Sequence, residues 1–112
     1  MDGTREGRTS VRDLTPEDVA KGMREGRILL VDVREERETA LERIPGALLL
    51  PLSRFDPLDI PDPRGRQVVF TCASGIRSVR ASEIAQAEGL GYDTHLAGGL
   101  KAWKAAGYPS ET

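Results

Sequence analysis

The chain contains a single cysteine, a single histidine and few aromatic side chains. Cys72 is the only cysteine among 112 residues, so an intramolecular disulfide is excluded and nothing ties the chain to an oxidising compartment. One cysteine and one histidine also fall short of the ligand sets typical of structural zinc. No carboxylate spacing indicates another metal site, and we therefore expect no metal.

Long apolar runs and an excess of charge of one sign are also missing. No run approaches the roughly 18 apolar residues of a membrane span, and the first ten residues, MDGTREGRTS, are too polar for the apolar region of a signal peptide. The 16 basic and 18 acidic side chains give a net charge of -2, which argues against nucleic acid or a membrane surface as the main partner. These features predict a cytoplasmic protein.

The apolar segments alternate between strand-like and helix-like patterns along the chain. We predict a flexible N-terminal tail over residues 1–9 and a single domain over residues 10–112. Because the predicted strands are uniformly apolar, they indicate a mostly parallel sheet covered by helices. The predicted strands are Ile28 to Val33, Ala47 to Leu50, QVVFTC and YDTHLA, and the predicted helices are LTPEDVAKGMREGR (capped by Thr15), REERETALER, Arg77 to Glu88 and GGLKAWKAAG.

Cys72 stands where a predicted strand ends and the next predicted helix begins. In open α/β sheets this edge binds ligands. Ala73, Ser74 and Gly75 are small enough for the backbone to curl closely, and successive N–H groups in such a curl form a cradle for an anion. The same cradle, with Arg77 nearby, favours a thiolate. The pattern indicates a nucleophilic cysteine in an anion-binding loop, with an inert core thiol as the alternative.

Four other polar residues have candidate roles near this edge. Asp32 ends the neighbouring predicted strand. One candidate role for it there is to orient the loop amides or Arg77, and the other is to cap a helix. Arg34 and Glu38 are four residues apart, a spacing that predicts a helical ion pair. His95 is a candidate base, but a thiolate hardly needs one, so we expect it to have no catalytic role.

Three segments resemble those of one known family. CASGIRS, residues 72–78, resembles the C-x-x-G-x-R-S active-site loop of rhodanese-homology domains. LLVDVREERETALERIPGALLLPL and LAGGLKAWKAAGYP resemble two further segments of the same family, in the same order. The resemblance runs from about Leu14 to Pro109. It implies a three-layer α/β fold with a mostly parallel sheet of about five strands and helices on both faces.

The resemblance also implies an activity, that of a thiosulfate sulfurtransferase without a cofactor. In this family a cysteine thiolate takes the outer sulfur of thiosulfate, becomes a persulfide, and passes the sulfur to cyanide in vitro or to a thiol in the cell. Cys72 would carry the persulfide, and Arg77 would help to bind the sulfonate. The Ser78 hydroxyl would either contact substrate or cap the following helix. The amides of the cradle would be those of Ala73, Ser74, Gly75, Ile76 and Arg77.

Two alternative activities use the same cysteine. One is a persulfide carrier that exchanges sulfur with a sulfur-relay protein partner. The other is a cysteine phosphatase or arsenate reductase, but those enzymes use C-x5-R, whereas here Ser78 holds the sixth position and Arg77 comes one residue earlier. Thr39, Glu42 and Arg43 depart from the family pattern outside the loop, where they bear on local packing and partner surfaces.

Overall fold

The aliphatic runs of the sequence form a five-stranded sheet in the computed structural model, which describes residues 10–112. The predicted tail, residues 1–9, lies outside the described residues. All neighbouring strands are parallel, and their order across the sheet is β1-β5-β4-β2-β3. The strands are β1 (Arg12–Leu14), β2 (Ile28–Asp32), β3 (Leu48–Leu49), β4 (Gln67–Thr71) and β5 (Thr94–Leu96).

Four α-helices connect and cover these strands. They are α1 (Pro16–Arg24), α2 (Glu36–Thr39), α3 (Arg77–Ala87) and α4 (Gly99–Ala105), with short 3-10 turns at Leu52–Arg54 and Pro57–Asp59. The predicted cap of α1 is confirmed: the Thr15 hydroxyl accepts from the Asp18 amide at 3.1 Å, and the Asp18 carboxylate accepts from the Thr15 amide at 3.2 Å. This reciprocal pair satisfies two N–H groups at the start of the helix.

Each face of the sheet has its own apolar core, because side chains of successive strand residues point to opposite faces. α1 and α4 cover one face, and α3 covers the other, so the predicted α/β fold with helices on both faces is confirmed. The first core contains Val19, Ala20, Ile28, Leu30, Val69, Leu96, Leu100 and Trp103. The second contains Leu29, Val31, Val68, Phe70, Ala81 and Ala85.

Both outermost strands differ from the prediction. β1, with the sequence Arg-Asp-Leu, was not predicted, because three residues with two charges have no strand pattern; it adds to the sheet beside β5. β3 was predicted as a buried strand, but it has two half-buried residues at the other edge. Only β2 covers its inner side, so its apolar residues are partly open to solvent.

Candidate active site

The loop after β4 wraps around the sulfur of Cys72. Cys72 directly follows β4 and is 1% exposed. Its Sγ accepts hydrogen bonds from the amide of Gly75 at 3.2 Å and from the amide of Ser78 at 3.3 Å. Gly75 has a φ of 101°, a left-handed conformation that side chains disfavour and that lets the chain reverse around the sulfur. The predicted cradle therefore encloses the cysteine sulfur itself.

Helix α4 holds the loop from behind. The amide of Leu100 donates to the carbonyl of Cys72 at 2.8 Å, and the amide of Lys101 donates to that of Ala73 at 3.0 Å. These bonds use N–H groups that have no partner within the first turn of the helix. Gly99 permits the approach: a Cβ there would lie 2.3 Å from the Cys72 carbonyl oxygen. The first turn of α4 thus fixes the outer, carbonyl side of the loop.

The surroundings of Cys72 favour its ionised form. Burial raises the pKa of the thiol, but its hydrogen bond with the Ser78 hydroxyl and the bonds from the amides of Ser78, Gly75 and Ser74 lower it more, so the net pKa lies below its ordinary value. Donors directed at a sulfur stabilise its negative charge. The loop can therefore present a thiolate as a nucleophile.

A chain of hydrogen bonds connects this sulfur with β1 at the edge of the sheet. Ser78 Oγ lies 3.5 Å from Cys72 Sγ and 2.8 Å from His95 Nδ1, and His95 Nε2 lies 2.7 Å from Asp13 Oδ1. Asp13 and His95 are register partners on β1 and β5, and His95 is the register partner of Phe70 on β4. The strand order brings together residues that are far apart in the sequence.

Arg77 is held by a carboxylate of α2. Its two terminal nitrogens donate to the Glu38 oxygens at 2.7 and 2.9 Å. The hydrogen bond from Arg77 lowers the pKa of Glu38 to about 2, and the bond to Glu38 raises the pKa of Arg77. The predicted pairing of Arg34 with Glu38 is therefore wrong. Arg34 precedes α2, which begins at Glu36, so the four-residue spacing does not place the two side chains on one helix.

Asp32 forms a buried ion pair with Arg34. The carboxylate accepts from the Arg34 amide at 2.9 Å and from its Nε and Nη2 at 3.1 and 2.9 Å, and Arg34 also donates to the carbonyl of Glu42 at 2.8 Å. Among the hydrogen bonds of residues 10–112, none joins the Asp32 carboxylate to the cysteine loop or to Arg77. Asp32 instead orders the segment between β2 and α2.

The combination of this loop with this sheet is found in a known family. A model of the rhodanese-like domain matches residues 15–106 of the chain. The chain belongs to the rhodanese-like domain family. Its sequence is 38% identical over 97 residues to an uncharacterised protein of Synechocystis, covering 87% of this chain and 54% of that protein. It is 40% identical over 83 residues to a protein named sulfurtransferase from Allochromatium vinosum, covering 73% of this chain and 77% of that one.

A solved structure has the same fold at moderate identity. A Rhodopseudomonas palustris protein of unknown function, described as a possible tyrosine phosphatase, has a TM-score of 0.75 and 33% identity, covering 90% of this chain and 85% of that one. The predicted family and fold are thus confirmed. This rhodanese-like domain spans about half the length of the Synechocystis relative.

Two side chains of the rhodanese-like loop, those of Ser74 and Ile76, are exposed to solvent. Ile76 is 77% exposed. Ala73 borders a surface depression of about 380 Å³ with Lys101 and Lys104. Arg77 borders a second depression, of about 510 Å³, with Arg37 and Glu35. Cationic side chains therefore line both depressions that border the loop.

Sequence reasoning missed three residues of this site. Glu38 was assigned to Arg34, Asp13 was not singled out, and His95 was not placed beside Ser78, while its expected lack of a catalytic role stays a prediction. A signal was available for His95, since it lies within the predicted strand YDTHLA, just before the Gly98–Gly99 turn, but the strand order was needed to place it beside the cysteine loop. Ser78 is not a helix cap, contrary to one prediction: Ile76 occupies the cap of α3, and the Ser78 hydroxyl faces His95.

Residues 10–112 contain neither a cluster of metal-ligating side chains nor a membrane-spanning helix. No group of three or more histidine, cysteine and acidic side chains in that range has the geometry to hold a metal ion. Over the same residues, no helix has both the length and the apolar content needed to traverse a bilayer.

Proposed function

We propose that this rhodanese-like domain is a thiosulfate sulfurtransferase that carries the transferred sulfur as a persulfide on Cys72. The observation that carries the proposal is the ring of backbone donors around Cys72 Sγ, with the amides of Gly75 and Ser78 at 3.2 and 3.3 Å. The same donors that favour a thiolate also suit the anionic sulfur of a persulfide.

The proposed reaction has two steps, and Cys72 is the nucleophile in the first. The Cys72 thiolate attacks the outer sulfur of thiosulfate, the bond between the two sulfurs of thiosulfate breaks, and sulfite leaves with the electron pair. The acceptor then attacks the outer sulfur of the persulfide, and the Cys72 thiolate is released. Cyanide is the acceptor in vitro and gives thiocyanate. A thiol is the proposed acceptor in the cell and gives a new persulfide.

The loop supplies the electrostatic part of this chemistry. In the proposal, the amides of Ala73 to Arg77 bind the negative charge of the donor and then of the persulfide. Backbone donors do not have to reorganise as charge moves between sulfurs, which lowers the barrier. Arg77 adds a positive charge beside them, although its terminal nitrogens are bonded to Glu38. We propose that it steers the sulfonate by its charge and holds the loop in place through Glu38.

The test is the rate of thiocyanate formation from thiosulfate and cyanide in the wild type and in Cys72→Ser. The serine variant keeps the size of the side chain but lacks a thiolate, and it should be inactive. Intact mass spectrometry of the wild type incubated with thiosulfate should show one added sulfur, which Cys72→Ser should not acquire. Equal activity in the two proteins would refute the proposal.

Two further candidate activities follow from particular observations. The solved structure described as a possible tyrosine phosphatase makes phosphatase activity worth testing with an aryl phosphate. The C-x4-R loop, one residue shorter than a phosphatase loop, argues against it. The exposed Ile76 side chain favours a persulfide carrier that docks on a protein. Fast loading by a cysteine desulfurase together with poor use of thiosulfate would support the carrier.

The proposed location is the cytoplasm. A persulfide cycle needs a reduced thiol, and the chain has one cysteine and no possible internal disulfide. Detection of the tagged full-length protein in cell fractions tests this.

A further inference from the structure

Asp13, His95 and Ser78 are the polar side chains that connect Cys72 with the protein surface. We propose that they form a proton relay, in which the proton of the Cys72 thiol passes through the Ser78 hydroxyl and is held on His95 while the thiolate reacts. The inference rests on the proposed function, because a thiolate is what the first step of sulfur transfer requires. Asp13 and His95 act through Ser78 and are positioning residues.

The geometry gives the relay one consistent direction. The Asp13 carboxylate can only accept, so His95 Nε2 must carry the hydrogen in the 2.7 Å bond between them. In neutral His95, Nδ1 is then an acceptor, and the Ser78 hydroxyl donates to it over 2.8 Å. This leaves the Ser78 oxygen free to accept from the Cys72 thiol, 3.5 Å away. Every donor in this series of hydrogen bonds meets an acceptor.

The proton moves without any change of oxidation state. The S–H bond of Cys72 breaks as its proton bonds to Ser78 Oγ, and the original Ser78 proton bonds to His95 Nδ1. The products are a thiolate and an imidazolium. Ser78 then donates to the thiolate, His95 Nδ1–H donates to Ser78, and Asp13 faces the new positive charge. The hydroxyl ends as it began, so it conducts the proton and is not consumed.

Burial explains why a relay is needed at this position. Cys72, Ser78 and His95 are 1%, 0% and 5% exposed, so the thiol has little access to water as a proton acceptor. The side chain of Asp13 is 71% exposed, so the end of the relay farthest from Cys72 lies in solvent. Phe70 is the register partner of His95 on β4, and α3 contributes the neutral hydroxyl of Ser78. Among the contacts of residues 10–112, Asp13 is the charged group hydrogen-bonded to the imidazole.

The test measures the thiol directly and needs no sulfur donor. The rate of Cys72 alkylation by iodoacetamide is recorded against pH for the wild type, Ser78→Ala, His95→Gln and the double variant. We expect each single variant to alkylate about tenfold more slowly near neutral pH, the effect of one hydrogen bond to a charged group. The double variant should be no slower than either single variant, because the residues act as one unit.

Matched variants separate the relay from a loss of packing. Ser82 is also buried on α3, one turn beyond Ser78, but its hydroxyl donates to the carbonyl of Tyr92 at 2.7 Å. Ser82→Ala should therefore leave alkylation unchanged. Asp13→Asn changes an exposed side chain and will not prevent folding. It should slow alkylation less than His95→Gln does, and an unchanged rate would count against the relay.

A second readout follows the proton itself. Nitrogen-15 NMR of the imidazole should show that the His95 Nδ1 signal changes when Cys72 is alkylated, and the Nδ1 signal at the same pH should also differ between the wild type and Ser78→Ala. If His95→Gln alkylates at the wild-type rate and the imidazole is unaffected in Ser78→Ala, the inference is wrong. Normal relay behaviour in a protein that does not transfer sulfur from thiosulfate would refute the proposed function alone.

Discussion

Replacing Gly99 with alanine tests whether helix α4 shapes the cysteine loop. The added Cβ would lie 2.3 Å from the Cys72 carbonyl oxygen and 2.8 Å from the Ala73 carbonyl carbon. Both are backbone atoms, so no side chain can turn away to make room. The loop must move away from α4, and the bonds from Leu100 and Lys101 to those carbonyls, at 2.8 and 3.0 Å, must lengthen or break.

Two contributions set the expected size of the effect. Alanine at the φ of Gly99, 56°, costs about 1–2 kcal/mol because of its left-handed conformation. Two weakened hydrogen bonds add about 0.5–1.5 kcal/mol each. The free energy of unfolding of Gly99→Ala should therefore fall by roughly 2–5 kcal/mol. Gly107→Ala is the matched control: its φ is 89° and its Cβ would meet nothing within 4 Å, so it should lose only about 1–2 kcal/mol.

Urea unfolding of the wild type and both variants measures these differences. Alkylation of Cys72 reports the loop separately, and it should slow in Gly99→Ala and stay at the wild-type rate in Gly107→Ala. If both variants lose the same stability and keep the same alkylation rate, the close approach of α4 does not constrain the loop and the reasoning fails. If Gly99→Ala does not fold while Gly107→Ala does, the two variants still differ in the expected order, because only the Cβ at position 99 meets backbone atoms.

Three further predictions concern two ion pairs: Arg77 with Glu38 beside the cysteine loop, and Asp32 with Arg34 between β2 and α2. Arg77→Ala should raise the KM for thiosulfate several-fold. Glu38→Gln frees the Arg77 guanidinium and should lower that KM. A higher KM in both variants would mean that Arg77 serves only to hold the loop. Because the pKa of folded Glu38 is about 2, below its ordinary 4.5, the stabilisation from this pair is complete above pH 4.5 and is lost as the pH falls towards 2. Urea midpoints across that range should slope less in Glu38→Gln than in the wild type. Asp32→Asn leaves the buried Arg34 charge without its ionic partner and should cost about 3–5 kcal/mol in urea unfolding, and a loss below about 1 kcal/mol would contradict the buried ion pair.

The local parts of the fold could be predicted because neighbouring residues determine them. Thr15 and Pro16 mark the start of α1, and the run from Ile28 to Val33 has the length and composition of a buried strand. The cysteine loop was predictable for the same reason: Cys72, Gly75 and Arg77 lie within six residues. In each case the physical cause, a cap, an apolar face or a tight turn, acts over one or two turns of chain.

The parts that failed depend on the order of the strands and on helix boundaries. His95 reaches Ser78 because β5 lies next to β4, and Asp13 reaches His95 because β1 lies next to β5. No local pattern gives this order. The pairing of Arg34 with Glu38 assumed a helix that included both residues, whereas α2 begins at Glu36. An error of two residues at a helix end was enough to exchange the ion-pair partners.

The bonds from the start of α4 to the loop carbonyls separate chemistry from recognition. They orient peptide groups, which every residue type possesses, so the backbone donors around Cys72 do not depend on an outward side chain such as that of Ile76. Ile76, 77% exposed, points away from the sulfur into solvent. Substitutions at such outward positions can change which molecule delivers or receives sulfur, while the backbone hydrogen bonds to the reacting sulfur stay the same. The loop is therefore a constant reaction centre with a replaceable outer surface.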